Sequence, residues 1–184
     1  MSQKEMLFRC SGVGNLMSEP KLVADKKAGK LSKTAESYLN QFIFEYKYGR
    51  RQNFSTKATQ KGTQTEDDGI HVLNMVMKTR YKKNETRFNG DYLTGEPDII
   101  GKDIIIDIKS NFLASTFLTK DSIDNVYKWQ LAGYCVLCEK KKGAIAYTLN
   151  NTPLDIVKSE ITSTYYKNGL VDLTDEDKAK IALN

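Results

Sequence analysis

Asp98, Asp107 and Lys109 stand in the middle of the 184-residue sequence, where a strand pair could bring them together. Asp98 follows Pro97 in Gly95-Glu-Pro-Asp98, and Asp107-Ile108-Lys109 closes a run that begins with Ile104, Ile105 and Ile106. Three consecutive β-branched apolar residues mark a strand buried on both faces. Ionised groups at the end of such a strand are costly unless something pairs with them. Side chains alternate along a strand, so Asp107 and Lys109 project from one face while Ile108 turns back to the core. A turn at Gly101-Lys102 folds the preceding segment alongside and lets Asp98 reach the same face. Two carboxylates beside one lysine offer oxygen ligands to a hard cation such as Mg2+, which is held by a few carboxylates together with water and phosphate oxygens. The same spacing also fits a surface salt bridge, with Pro97-Asp98 as an ordinary turn, and the residues alone leave both readings open.

Three more side chains could join this chemistry. Glu66 lies in Gly62-Thr-Gln-Thr-Glu66, where Thr63 and Glu66 have the spacing of a helix capping box. Glu66 also shares a helix face with Ile70, Leu73 and Met77, which aims it toward a core. Gln130 and Tyr134 are four residues apart and so one helical turn above each other, a spacing that fits boundary packing as well as a shared task.

These residues depend on the elements that carry them. From Thr34, apolar residues at Ala35, Tyr38, Leu39, Phe42, Ile43 and Tyr46 predict a helix with one buried face that stops near Gly49. The acid-free, basic segment 49–64 reads as an exposed connection. A second helix begins near Thr63 or Thr65, with Ile70, Leu73, Met77 and Tyr81 on one face. Short segments at 87–93, 98–100 and 103–108, separated by glycine-containing turns, read as antiparallel strands. A helix over 124–138 carries Val126, Tyr127, Gln130, Leu131, Tyr134 and Leu137. A strand at 144–149, a helix from Pro153 to about Tyr166 and a last helical segment from Thr174 complete the pattern. The order predicts one α/β domain over 1–184, a mixed central β-sheet flanked by α-helices, with residues 1–30 as an extension of uncertain structure.

Hydrophobic residues make up 40% and charged residues 28% of the chain, a balance that excludes a largely disordered protein. No apolar run approaches the length needed to span a bilayer, and the N-terminus lacks the apolar segment of a signal peptide, so the expected place is the cytoplasm. Cys10, Cys135 and Cys138 are an odd set that fits reduced, buried thiols better than a zinc site, since only His71 could add a ligand. A net charge of +5 permits a polyanionic partner. Candidate contacts for such a partner are Arg50, Arg51 and Lys57 before Glu66, then Lys78, Arg80, Lys82, Lys83 and Arg87 between the acid-bearing segments. Tyr48 and Phe54 lie among them and could stack on a base. Each of these charges also fits a merely solvated face.

Gly95-Glu-Pro-Asp98, a short turn, an isoleucine-rich strand and Asp107-Ile108-Lys109 together resemble the PD-(D/E)XK nuclease superfamily, in which the first acid follows a proline. Gly62-Thr-Gln-Thr-Glu66 and Gln130-Leu-Ala-Gly-Tyr134 are similar to two helical motifs of its phage-type exonuclease branch, that of lambda exonuclease and the YqaJ-like viral recombinases. Tyr147-Thr-Leu-Asn-Asn-Thr-Pro153 is similar to the strand and turn that follow. The resemblance implies a restriction-endonuclease-like core and a Mg2+-dependent deoxyribonuclease, with Mn2+ as a substitute ion. It implies Asp98, Asp107, the Ile108 carbonyl and Glu66 as metal ligands, Lys109 at the attacking water, and Gln130 and Tyr134 positioning water or the nucleic-acid backbone. DNA is the implied partner. A single-strand annealing recombinase and a homo-oligomeric form are compatible with it, as is a bacterial host cytoplasm for a phage-encoded chain. Two other readings share parts of this pattern: a structure-specific or restriction-like endonuclease, and a non-catalytic DNA-binding protein with a degenerate nuclease fold. Members of the branch often continue well past the strand and proline near Pro153, whereas about thirty residues follow here, as in a compact version or a fragment.

Overall fold

Sequence periodicity locates most of the elements, and the structure adds several that periodicity does not reveal. The computed structural model describes residues 6–50, 55–167, 174–176 and 179. In chain order they form β1 (Phe8–Arg9), α1 (Cys10–Leu16), α2 (Val23–Lys27), α3 (Lys33–Tyr48), α4 (Lys57–Gln64), α5 (Glu66–Met77), β2 (Phe88–Asn89), β3 (Leu93–Gly95), β4 (Ile99–Ile100), β5 (Ile104–Ser110), α6 (Ala114–Leu118), α7 (Asn125–Leu137), β6 (Lys142–Thr148) and α8 (Leu154–Lys167). The fold is the expected mixed α/β one, its strands forming two three-stranded sheets ordered β1-β3-β2 and β4-β5-β6. The first is mixed, with β1 parallel and β2 antiparallel to β3. In the second, β4 runs antiparallel to β5, with Ile99 opposite Ile106 and Ile100 opposite Ile105.

The chain divides into two compact units that interleave in sequence: Met1–Asn53, Lys82–Asp107 and Ser122–Ile145 form the first, and Phe54–Tyr81, Ile108–Asp121 and Ala146–Asn184 the second. In the first unit, Cys10, Ile105, Leu131 and Tyr134 make a buried cluster against which Leu93, Ile100, Leu137 and Ile145 pack. The N-terminal residues, unassigned from sequence, are integral to it, since Cys10 is fully buried and α1 packs on α7. Helix α3 starts as its sequence predicts, with the Ser32 hydroxyl accepting from the Ala35 amide at 3.0 Å. Its expected buried face is only half covered: Ala35 is buried, but Ile43 is 52% exposed. Phe42 finds its partner in Phe8, ring centroids 4.3 Å apart. The strand expected over 87–93 is two strands, β2 and β3, because Asn89-Gly90-Asp91 favours a turn, closed by the Gly90 amide donating to the Leu93 carbonyl at 2.9 Å.

In the second unit, part of the expected exposed connection at 49–64 is the helix α4, started by Thr56, whose hydroxyl accepts from the Thr59 amide at 3.1 Å. Lys61 on this helix is only 2% exposed, which a reading of basic residues as solvated could not anticipate. In α5 the expected apolar face is cut short: Ile70 is buried, Met77 is 62% exposed, and the helix ends at Lys78 before Tyr81. Arg51, Phe54 and most of the segment expected to be helical after Thr174 lie outside the described residues.

Candidate active site

In the first unit, β5 delivers Asp107 to a buried position, 1% exposed, while Pro97 is buried and Asp98 half-buried just before β4. Asp98 directly precedes Ile99, which pairs with Ile106, and Asp107 directly follows Ile106, so the two acids adjoin the same strand pair. Helix α7 brings Gln130 and Tyr134, both buried, to the same carboxylate. The Gln130 amide nitrogen donates to Asp107 Oδ1 at 3.2 Å and to the Tyr134 hydroxyl at 3.0 Å. The i, i+4 spacing thus becomes a contact, as helical geometry allows. Burial pushes the Tyr134 phenol well above its ordinary value; the Gln130 hydrogen bond opposes this, and the negative charges of Asp107 and Asp98 add to it. Both carboxylates therefore act electrostatically on one phenol, which stays protonated. Gly95 allows this packing, since a Cβ there would lie 2.6 Å from the Tyr134 ring and 2.9 Å from Cys10 Sγ. Cys10 itself is held neutral, its thiol raised to about 11 mainly by burial.

The second unit carries the remaining expected residues. Ile108 is buried and Lys109 half-buried on β5, and Glu66 is half-buried at the start of α5. The capping-box alternative for Glu66 does not hold. Thr63 lies inside α4, where its hydroxyl donates to the Thr59 carbonyl, and the N-cap of α5 is Thr65, whose side chain makes no cap bond. Gly69, one turn on, leaves room for Ile108: a Cβ there would meet Ile108 Cγ2 at 2.6 Å and Thr148 Oγ1 at 3.1 Å.

Among the described residues no three His, Cys, Asp or Glu side chains gather into a cluster that could hold an ion by themselves. Mg2+ does not require one, because it is commonly held by one or two carboxylates, the remaining positions going to water and substrate phosphate. Asp98 and Asp107 fit that donor set. Both charges act on the same phenol, so a cation held beside it would offset two carboxylates at once.

A crystal structure of a phage-related exonuclease from Haemophilus somnus 129PT is 30% identical to this chain, with a TM-score of 0.71, covering 82% of this chain and 71% of its own. The chain belongs to the phage-type exonuclease branch of the PD-(D/E)XK superfamily. The fold is shared more widely. An alkaline exonuclease, LHK-Exo, from Laribacter hongkongensis superposes with a TM-score of 0.61 at 15% identity over 96% of this chain and 90% of its own. LHK-Exo in complex with dAMP gives the same TM-score at 17% identity, over 82% and 73%. No family model matches the sequence, and no curated protein does.

This phage-type exonuclease family member carries a feature its sequence did not signal. A cavity of about 410 Å3 in the first unit is lined by Arg9, Cys10, Ser11, Arg87, Glu96 and Tyr134, among others. Arg9 pairs with Glu45 and Arg87 with Glu96, at 2.8 and 2.9 Å. Arg9 escaped notice because β1 is two residues long and has no periodicity to read. Of the basic residues proposed for a polyanion, Arg50, Lys78, Arg80, Lys82, Lys83 and Arg87 are exposed. Lys57 is engaged in an ion pair with Glu160. Among the described residues no helix is long and apolar enough to cross a membrane.

Proposed function

We propose that the chain is a Mg2+-dependent deoxyribonuclease that degrades DNA from its ends. The observation that supports this most directly is that the Asp98 and Asp107 carboxylates both act on the Tyr134 phenol, with the Gln130 amide donating to Asp107, in a chain of an exonuclease family. When bound, Mg2+ or Mn2+ would activate water and offset negative charge at the scissile phosphate. Asp98, Asp107 and the Ile108 carbonyl would hold the ion, with Glu66 as a further carboxylate. Lys109 would orient the attacking water and offset charge growing on phosphorus. Gln130 fixes the Asp107 carboxylate by donating to it, and Tyr134, kept protonated by its surroundings, can donate to the nucleic-acid backbone. Arg9 and Arg87 at the cavity give an anionic DNA group a place to rest, and the exposed basic residues give its backbone a track. A homo-oligomer, an annealing recombinase as partner and a role in recombination belong to the same proposal.

Linear duplex, covalently closed circular duplex and the Asp107→Ala variant test it together. Linear DNA is expected to disappear with Mg2+, to survive with EDTA, and to survive at least about a hundredfold longer with the variant. The closed circle should persist throughout. Cutting that resists EDTA refutes the metal-dependent mechanism, and rapid loss of the circle transfers the reading to an endonuclease.

A further inference from the structure

The second unit contains a hydrogen-bonded group that adjoins both Glu66 and Lys109 in the chain. Asn150, two residues past β6, sends its amide nitrogen to three oxygens: the Thr65 carbonyl at 3.1 Å, Thr148 Oγ1 at 3.3 Å and Ser110 Oγ at 3.4 Å. The Ser110 hydroxyl is also 2.9 Å from Thr65 Oγ1. Thr65 directly precedes Glu66, and Ser110 directly follows Lys109. A second tie runs in parallel, since the Lys61 ammonium donates to the carbonyl of Phe112, two residues beyond Ser110.

Thr65 and Thr148 are 2% and 5% exposed, so their hydroxyls must find partners inside the protein. Apolar side chains of like volume would hold a helix against a strand equally well, and without the cost of burying polar groups. What they would lack is direction, because packing is non-directional whereas a hydrogen bond fixes angle as well as distance. One amide reading the residue before Glu66 and the residue after Lys109 sets the rotation of both flanking side chains.

We propose that Asn150 is a positioning residue that, acting through Thr65 and Ser110, holds Glu66 and Lys109 in the orientation the reaction needs. This inference rests on the nuclease reading above. It also gives a task to the strand-and-turn segment Tyr147–Pro153, whose asparagines no proposed catalytic step uses.

The test compares Asn150→Ala, Asn150→Asp, Thr65→Val and Thr65→Ser with the full-length chain. It measures kcat and KM on linear duplex at saturating Mg2+, Mn2+ binding to the DNA-free protein by calorimetry, and unfolding in urea. Misplacement of catalytic groups by about 1 Å costs on the order of a hundredfold. We therefore expect kcat to fall about ten- to a hundredfold in Asn150→Ala, Asn150→Asp and Thr65→Val, with KM near wild type. Mn2+ binding should weaken several-fold in the same three, while Thr65→Ser, which keeps the hydroxyl, retains wild-type kcat. Undiminished kcat in Asn150→Ala overturns the inference. So does a kcat loss matched in Thr65→Ser, or one explained by a shift of the urea midpoint into the assay range. If the wild-type chain shows no metal-dependent hydrolysis, the nuclease reading fails and takes this inference with it; if wild type is active and the variants are too, only the positioning role fails.

Discussion

Tyr134 in the first unit rests on apolar packing against Cys10, Ile105 and Leu131, whereas Glu66 and Lys109 in the second stand next to Thr65 and Ser110, which hydrogen-bond to each other and to Asn150. The buried residues differ in proportion. In the first unit Cys10, Ala35, Ile99, Ile105, Ile106, Leu131 and Tyr134 outnumber the buried polar Ser32, Asp107 and Gln130; the second buries Lys61, Thr65 and Thr148 beside an equal set of Ile70, Ile108 and Ile156. Apolar contacts add up over area and tolerate small shifts, so damage to them should appear as lost stability. Hydrogen bonds hold one geometry, so damage to them should appear first as lost rate. At Gln130, which donates to Asp107 and Tyr134, the first unit uses the second unit's method.

The largest expected effect tests the apolar side. Leu131 is 6% exposed within the core cluster, and Leu131→Ala should destabilise the protein by roughly 2–5 kcal/mol, as the removed methyls and the cavity both count. Urea unfolding measures this. At temperatures where the variant remains folded, kcat should stay within a few-fold of wild type. A large kcat loss at full stability would break the comparison, for it would make packing in the first unit as geometrically exacting as the hydrogen bonds of the second.

The same contrast explains what could be read in the sequence. Ile104 to Ile108 announced a buried strand ending in charge, and β5 places Asp107 and Ile108 accordingly. The spacing of Gln130 and Tyr134 announced one helix face, and α7 turns it inward. Apolar patterning is periodic and leaves a trace. Hydrogen-bond networks leave none: Lys61 and Thr65, Ser110, and Asn150 come from three places in the chain, and each alone looks like a surface residue. A basic, acid-free stretch accordingly read as a connection, though it holds α4 and a buried lysine. The N-terminal β1 and α1 leave no trace for a related reason, being too short for periodicity to register. The α3 face is less covered than its periodicity implies, because a helix on the surface of its unit can carry exposed apolar residues such as Ile43.

Tyr134→Phe sharpens the comparison at this mixed point. The ring keeps its place beside Gly95 and Cys10, while Gln130 loses an acceptor, so the expected cost is about 0.5–1.5 kcal/mol. Its pH dependence carries the sign of the shift. Burial raises the folded-state pKa of the Tyr134 phenol, so in the unfolded chain this group ionises first, above about pH 10. The unfolded state then holds fewer protons, and wild-type stability declines as the pH climbs from there toward the folded value. Tyr134→Phe removes that decline. Urea midpoints of the two proteins should converge between neutral pH and alkaline conditions; parallel curves would show that the phenol is not held protonated by its site.

The smallest effect concerns Lys61. Its ammonium is buried, donates to the Phe112 carbonyl at 3.3 Å and lies 5.6 Å from the Phe112 ring centroid. Burial lowers its pKa, so the folded state penalises the charged amine that the unfolded chain carries freely. That penalty is present in full below the folded-state pKa and fades as the pH rises from there to the ordinary lysine value near 10.4. Replacing a buried charge by an apolar side chain of similar length is often neutral or stabilising. Lys61→Met should therefore change stability by under about 1 kcal/mol at pH 7, toward greater stability, and the gain should shrink toward pH 10. A loss of several kcal/mol at pH 7 instead would mean that the hydrogen bond to Phe112 outweighs the burial of its charge. The polar network of the second unit would then hold the fold as well as the geometry, and the two units would differ in chemistry but no longer in what their contacts are for.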